Sequence, residues 1–196
     1  MTGRAFRVMA AAILLTSACG GTGATRGGIR GREIATSGDR RHLDAESGVE
    51  VTFADPVMQA VVASPETAPG YRLLRLVAAT EGNTRGQYAY VLTPTDGSLD
   101  PGAAMAVLQA LLEGHGREAR REMRSHQGLR ALEIWLDEVP QGELHEGHAL
   151  LTTDGQRAVM LVDVLEEGSD ASGRASEAFF AGLRFPEAPS AADMDD

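Results

Sequence analysis

The residues with the clearest potential for metal chemistry are two histidines and a glutamate in the string LHEGHA. A zinc protease places two histidines four residues apart on a helix, so that both rings face the ion and a glutamate serves as the base. Here His145 and His148 are three residues apart, and in a strand such residues point to opposite faces. Gly142, Gly147 and the following ALLTT favour a turn that leads into a strand. We therefore predict two solvent-exposed histidines at the rim of a hairpin, and no metal site.

Nucleophilic and acid–base catalysis have no local motif in this chain. The Gly-x-Ser-x-Gly string that positions a hydrolase serine does not occur in the sequence, and the serines of GSDASG suit the cap of a helix. The acidic pairs Asp137/Glu138 and Glu166/Glu167 lie at predicted strand ends. Adjacent residues of a strand face opposite ways, so neither pair forms an acid–base dyad by itself. The sequence predicts no enzymatic activity and no cofactor, and the alternative is an active site assembled from distant residues.

Five arginines lie within fourteen residues, in the segment GREARREMRSHQGLR. In a strand, Arg120 and Arg124 share one face. Glu118 and Glu122 are predicted on that same face, and Arg121 on the other. The first interpretation is charge pairing along an exposed sheet edge, which also discourages strand-to-strand aggregation. The second makes Arg120 and Arg124 a contact for an anionic ligand or an acidic partner.

The first eighteen residues have the layout of a secretory signal. MTGRAFR carries two positive charges, VMAAAILL is a short apolar run, and small residues follow up to Cys19. The apolar run is shorter than the roughly 20 residues that a membrane-spanning helix needs. Cys19 is the only cysteine, so a disulfide within the chain is excluded and a zinc site would need other ligands nearby. One interpretation of Cys19 is an incidental thiol in an ordinary signal peptide, discarded after cleavage.

This N-terminus resembles that of bacterial lipoproteins, whose signal ends in a leucine, two small residues and a cysteine. LTSAC fits with one departure, because Leu15 stands four residues before Cys19 and Thr16 occupies the usual leucine position. The resemblance implies that Cys19 becomes the first residue after cleavage and carries a diacylglyceryl group and an amide-linked acyl chain. Gly20 in place of Asp resembles lipoproteins sent to an outer membrane, where the host has one. The implied location is the bacterial cell envelope, outside the cytoplasmic membrane.

Composition excludes several classes of function. Removing residues 1–18 removes two arginines and no acidic residue, so the net charge goes from −10 to −12. An acidic protein lacks the clustered positive charge that binding to nucleic acid phosphates requires. All 18 basic residues are arginine, so a P-loop, a Schiff base or any other lysine-based mechanism is excluded. With 43% hydrophobic residues, the rest of the chain can build one core of ordinary domain size.

Patterns along the chain divide it into four parts. Residues 1–18 are the predicted signal peptide. Residues 19–47 contain much glycine and arginine but few large apolar residues, which is typical of a flexible tether. Residues 48–186 carry the regular patterns of a single folded domain. Residues 187–196 have little to bury, and we predict a disordered acidic tail.

Within the predicted domain, strands and helices follow in a simple order. Period-two alternation predicts strands in GVEVTFADP, MQAVVAS, Tyr71–Ala79 and Gln87–Thr93. Asp100 and Pro101 suit the cap and the first position of a helix with one apolar stripe. Four more strands follow in REARREMRS, LRALEIWLDEV, HEGHALLTT and RAVMLVDVLEEG, and SGRASEAFFAGLRF closes the domain as a helix. This order predicts an α+β fold, an antiparallel β-sheet with helices packed against it.

This succession resembles the PsbP-like fold, shared by the extrinsic photosystem protein and a Ran-binding import factor. The stretches that carry the resemblance are GVEVTFADP, GLRALEIWL, and RAVMLVDV followed by ASEAFFAGLRF. They lie between Gly48 and Pro186 and are apolar patterns without a chemical signature. The resemblance implies a PsbP-like sandwich and a mostly non-enzymatic role, in which the domain binds or stabilises a larger assembly.

The sequence therefore predicts a lipid-anchored envelope protein that acts as a non-enzymatic binding or accessory module for a membrane-associated partner. Its expected partners are membrane lipid through Cys19 and a protein whose identity the sequence leaves open. A competing hypothesis is an envelope enzyme with a dispersed active site, which a pocket combining Arg120, Arg124, His126 and Glu133 would favour. The sequence is also compatible with a binder of small anionic ligands and with a purely structural assembly factor.

Overall fold

The computed structural model of the protein describes residues 29–79, 85–139, 144–166 and 172–186. The predicted signal peptide, Cys19, the start of the predicted tether, most of the loop in TEGNTRG and the predicted acidic tail lie outside these residues. None of the helices that the structure describes has the length and apolar character of a membrane span.

The described residues form eleven strands and two helices. The strands are β1 (Gly31–Ile34), β2 (Arg41–Leu43), β3 (Glu50–Thr52), β4 (Val57–Ala63), β5 (Tyr71–Ala79), β6 (Arg85–Pro94), β7 (Arg117–His126), β8 (Leu129–Asp137), β9 (Leu144–Thr153), β10 (Ala158–Glu166) and β11 (Leu183–Arg184). Helix α1 (Pro101–Leu112) connects β6 to β7, and α2 (Ser172–Ala181) connects β10 to β11.

Eight of the strands form one large antiparallel sheet in the order β1-β4-β5-β6-β10-β9-β8-β7. The other three form a small antiparallel sheet in the order β11-β3-β2. One face of the large sheet packs on α1 through residues such as Leu108, Tyr90 and Met160. The opposite face packs on α2 and on the small sheet, where Phe180 and Val51 are buried. We call these the α1 face and the α2 face.

The predicted fold class is wrong. The sequence indicates an α+β domain, a PsbP-like sandwich of one antiparallel sheet with helices packed against it. The described residues are mostly antiparallel β-structure, with helices of only 12 and 10 residues, and a second sheet shares the covering of the α2 face. Strands β1, β2 and β11 are two to four residues long, too short for period-two alternation to mark them. Their pairing with distant strands makes them extended.

The flexible tether predicted through residue 47 is wrong for residues 29–47. Strand β1 pairs with β4 and strand β2 pairs with β3. Ile29 is buried in the core on the α1 face. The buried carboxylate of Asp44 accepts two hydrogen bonds from the Arg72 guanidinium, at 2.8 and 2.9 Å. A stretch with little apolar content of its own is ordered here by its partners on other strands.

Several elements lie where the sequence predicts them. Strand β5 has the predicted bounds Tyr71–Ala79, and β7 to β10 form the predicted series of four strands. Helix α1 begins at Pro101, and Asp100 caps it by accepting hydrogen bonds from the N–H groups of Gly102 and Ala103. These signals are local, since a cap and an alternating strand depend only on neighbours in sequence.

Candidate functional site

A row of polar and aromatic side chains crosses five neighbouring strands of the large sheet on its α2 face. Directly opposite residues of neighbouring antiparallel strands point to the same face of the sheet, so the pairing register shows which side chains belong to this row. We call this set the polar row, and in order across the sheet it consists of Arg120, Trp135, His148, Asp163 and Gln87. Most of the row lies among the buried apolar residues of this face, where polar side chains are uncommon unless they are paired.

The outer end of the polar row is a stack of three side chains. The guanidinium carbon of Arg120 lies 4.4 Å from the centroid of the Trp135 ring, a cation–π contact. The ring centroids of Trp135 and His148 are 4.9 Å apart, with an angle of 20° between the planes. Arg120 remains 59% exposed, whereas Trp135 is half-buried and His148 is buried. The exposed part of the stack is thus the arginine and one part of the indole ring.

A buried glutamate supports this stack from the neighbouring position on β8. Glu133 Oε2 lies 3.0 Å from Arg124 Nη1, and Oε1 lies 2.6 Å from His148 Nε2. Burial lowers the pKa of His148; the carboxylate of Glu133 opposes the shift, and the nearby Arg124 adds to it. The His148 imidazole is therefore neutral near pH 7. Strands β7, β8 and β9 are held together here by one carboxylate.

The inner end of the polar row lies beneath α2. The Asp163 carboxylate is fully buried and accepts hydrogen bonds from Arg85 Nε at 2.8 Å and Arg85 Nη2 at 2.7 Å. The Ser176 hydroxyl of α2 donates a third hydrogen bond to it at 2.8 Å. Gln87 Oε1 accepts a hydrogen bond from the Ala54 N–H at 2.7 Å. These contacts join β6, β10 and α2, so the inner end has a structural role.

The structure brings the two predicted site residues, Arg120 and Arg124, onto the same face, as predicted. The prediction that Glu118 shares this face is wrong, because an irregularity between Glu118 and Arg120 shifts the register of β7 against β8. Glu118 instead lies with Arg121 on the α1 face, where the two side chains form an ion pair. A β-bulge of this kind adds one residue and reverses the alternation beyond it.

Each arginine of β7 has an acidic partner. The pairs are Arg117 with Asp137 and Glu138, Arg120 with Glu122, Arg121 with Glu118, and Arg124 with Glu133. The positive charge that the sequence suggests for an anionic ligand is therefore compensated within the β7–β8 hairpin. The exposed surface of this hairpin carries both signs of charge next to an aromatic ring.

The α1 face also carries a groove, with a volume of about 520 Å³. Its apolar floor includes Leu112, Ile134 and Leu136, and Arg121 and Glu118 stand at its rim. The residues whose convergence would favour an enzyme, Arg120, Arg124, His126 and Glu133, do not line this groove. All four lie on the opposite, α2 face. Arg120 belongs to the stack, Arg124 and Glu133 lie next to it, and buried His126 is the last residue of β7.

The histidines of LHEGHA differ from their prediction. His148 is buried under Phe180, whose ring meets it edge-on at 4.9 Å, so the prediction of an exposed rim histidine is wrong for this residue. The side chain of His145 lies outside the described part of the structure. Among the described residues, no group of three or more His, Cys, Asp or Glu side chains is placed to hold a metal ion.

Comparisons with known proteins give little beyond this geometry. No protein-family model matches the chain, and no curated protein matches it. Among solved structures, the chain is similar to the solution structure of cyanobacterial PsbP (CyanoP) from Synechocystis sp. PCC 6803. The identity is 16%, the TM-score is 0.48, and the match covers 86% of this chain and 98% of that one. At this level the similarity assigns neither a function nor a partner.

Sequence reasoning misses the polar row, since no local pattern connects Trp135 or Asp163 with the arginines of β7. One local signal could have found the inner end. Asp163 is the only charged residue within the apolar run AVMLVDVL, and a carboxylate in the middle of a buried strand requires a buried partner. The outer end depends on the register of three strands, which no local pattern specifies.

Proposed function

We propose that the protein is a lipid-anchored, non-enzymatic binding module of the bacterial cell envelope. In this proposal Cys19 carries the lipid, and the outer end of the polar row contacts a membrane-associated protein. The observation that carries the binding role is the exposed Arg120 guanidinium, whose carbon lies 4.4 Å from the centroid of the half-buried Trp135 ring. Tryptophan and arginine are the residue types that most often dominate the energy of protein interfaces.

The charges around this stack favour a protein partner over a small anion. Arg120 and Arg124 are already paired with Glu122 and Glu133, so a phosphate-like ligand would have to compete with carboxylates held on the same strands. A protein surface with both signs of charge can match this pattern instead. The groups of the inner end that resemble catalytic residues, Ser176 and Asp163, are fully buried and bonded to each other, which supports a non-enzymatic role.

The short distance between the proposed anchor and the domain supports a partner at the membrane surface. Ile29 is already buried in the core, so residues 19–28 alone would separate the lipid from the folded part. Ten residues span at most about 35 Å when fully extended. The domain would therefore work close to the membrane rather than at the end of the long tether that the sequence predicts.

We expect Arg120→Ser to remove most of the partner that the full-length protein captures by mild cross-linking in native membranes. The change removes the guanidinium from Trp135, and loss of an interface residue of this kind weakens binding by about 2 kcal/mol, or roughly thirty-fold. The measurement is the yield of the cross-linked partner relative to the wild type, quantified by mass spectrometry.

Arg121→Ser is the matched control for this experiment. Arg121 is the next residue of β7, is 52% exposed and also pairs with a glutamate, but it lies on the α1 face. It should leave the captured yield unchanged. Equal losses in the two variants would contradict the proposed face, and unchanged yields in both would favour a different surface or a small-ligand binder.

A further inference from the structure

Strand β7 forms an open edge of the large sheet. It is ten residues long and pairs with β8 on one side, while it stands last in the strand order on the other. Almost all of its residues are exposed or half-buried. The register with β8 is irregular only between Glu118 and Arg120. The segment from Arg120 to His126 is therefore a regular strand, and among the described residues no strand pairs with its outer edge. Such an edge is a template for another strand.

An exposed apolar side chain lies at the centre of this regular segment. Met123 is 58% exposed, and it belongs to the small set of large apolar side chains that the described structure leaves in solvent. Three residues of the segment precede it and three follow it. Met123 is therefore the position that a two-fold axis through the middle of the segment would bring next to its own copy.

The charges of β7 favour one symmetric arrangement. When two copies pair antiparallel about an axis perpendicular to the sheet, the same face of both copies stays on the same side, so residues of equal parity meet. With Met123 on the axis, Glu122 meets Arg124 of the second copy, and each gains this partner in addition to the one that it has within its own hairpin. Arg121 meets Ser125, and Arg120 meets His126, whose pKa is lowered by burial and by the nearby Arg124 and Arg184.

The neighbouring symmetric arrangements are disfavoured by like charges. An axis through Arg121 pairs Arg120 with Glu122 of the second copy but sets the two Arg121 side chains against each other at the axis. An axis through Glu122 sets two glutamates against each other and Arg120 against Arg124. An axis through Arg124 again opposes two arginines. Like charges directly opposite on neighbouring strands are destabilising. Among these arrangements, the one centred on Met123 brings opposite charges together without placing like charges on the axis.

The β7–β8 hairpin is electrically neutral, so it avoids the repulsion expected between two copies of an acidic chain. Residues 117–138 contain five arginines and five acidic residues, so their formal net charge is zero, whereas the whole chain carries −10. Two acidic proteins approach each other at lowest electrostatic cost through a neutral surface. The open edge, the central apolar side chain and the neutral charge thus coincide on the same strand.

We infer that two copies of the chain associate through β7, antiparallel, with Met123 at the two-fold axis. The two large sheets then continue as one, and the outer ends of both polar rows lie on the same face of the joined sheet. This inference stands on the edge strand alone and goes beyond the proposed function, because neither Cys19 nor a protein partner enters it.

Disulfide trapping tests the register. Full-length protein carrying Cys19→Ser is purified in mild detergent, and Met123→Cys or Ser125→Cys is added to this background. In the inferred dimer the Met123 Cα atoms are about 5 Å apart, within the range of a disulfide. The Ser125 Cα atoms are offset by four residues, about 14 Å, although both positions are exposed on the same face. Oxidation should give a covalent dimer for Met123→Cys and little or none for Ser125→Cys.

Charge reversal provides a second readout that does not depend on a thiol. Sedimentation of the Cys19→Ser protein over a range of concentrations should show a reversible dimer, and Glu122→Arg should weaken it roughly ten-fold or more, because two attractive pairs become repulsive. Glu118→Arg makes the same charge change outside the paired segment, and we expect it to weaken the dimer far less. A protein that stays monomeric, equal trapping at both cysteine positions, or equal effects of the two charge reversals would each overturn the inference.

Discussion

Asp163→Ala is expected to lower the free energy of unfolding by about 3–5 kcal/mol, the usual effect of breaking a buried ion pair by removing one partner. The substitution leaves the Arg85 guanidinium and the Ser176 hydroxyl without the carboxylate that both now bond. Asp163 is fully buried and the Arg85 side chain is 15% exposed, so water replaces the lost bonds poorly. Chemical denaturation at pH 7, followed by circular dichroism, measures the change.

Asp137→Ala is the matched control for this prediction. Asp137 also binds an arginine with two hydrogen bonds, both of 3.1 Å, from Arg117. That pair is exposed, and exposed ion pairs contribute at most about 1 kcal/mol. Both substitutions remove a carboxylate that binds an arginine through two hydrogen bonds. We therefore expect the loss of unfolding free energy to be several-fold larger for Asp163→Ala than for Asp137→Ala. Equal losses of stability would show that burial does not make the Asp163 ion pair more important for stability than the exposed Asp137 pair.

Lowering the pH from 6.5 to 4 is expected to destabilise the protein through His115 by about 3 kcal/mol. Burial, together with the nearby Arg75, lowers the pKa of His115 from 6.5 to about 4. The unfolded chain therefore binds a proton on this histidine before the folded chain does, so stability is full above pH 6.5 and falls as the pH drops toward 4. Each pKa unit corresponds to about 1.36 kcal/mol.

His115→Gln should flatten the pH dependence of stability between pH 6.5 and 4. The substitution also loses the contact of 2.6 Å between Nε2 and the Tyr90 hydroxyl, so the comparison is between slopes rather than between stabilities at one pH. Burial lowers the pKa values of His42, His126 and His148 as well, and a smaller slope of the same sign should remain. Equal slopes for the wild type and His115→Gln would contradict the prediction.

The sequence predicts individual elements of this fold better than their arrangement. Strand β5 and the start of α1 follow from alternation and from a cap, which are properties of neighbouring residues. The fold class is wrong because β1, β2 and β11 are short and are made extended by strands far away in the chain. The same cause explains why a segment with many glycines and arginines is read as a tether although Ile29 and Asp44 are buried.

The candidate site is predictable only in part, for a related reason. Alternation places Arg120 and Arg124 on one face, but the irregularity after Glu118 is invisible to a rule with a fixed period of two. The burial of His148 depends on Phe180, a residue of α2 that packs across the sheet. Long-range register therefore decides which of the chemically capable side chains meet, and a single sequence does not encode it in a readable pattern.

Partner capture by the full-length protein and by its Cys19→Ser variant tests the proposed function most directly. Both proteins would be cross-linked mildly in native membranes and recovered in equal amounts, with intact-mass analysis of the N-terminal peptide. We expect an acylated Cys19 in the wild type, recovery from the membrane fraction, and one reproducible partner that Cys19→Ser captures poorly. A soluble wild-type protein with an unmodified Cys19, or a partner captured equally by both proteins, would contradict the proposal.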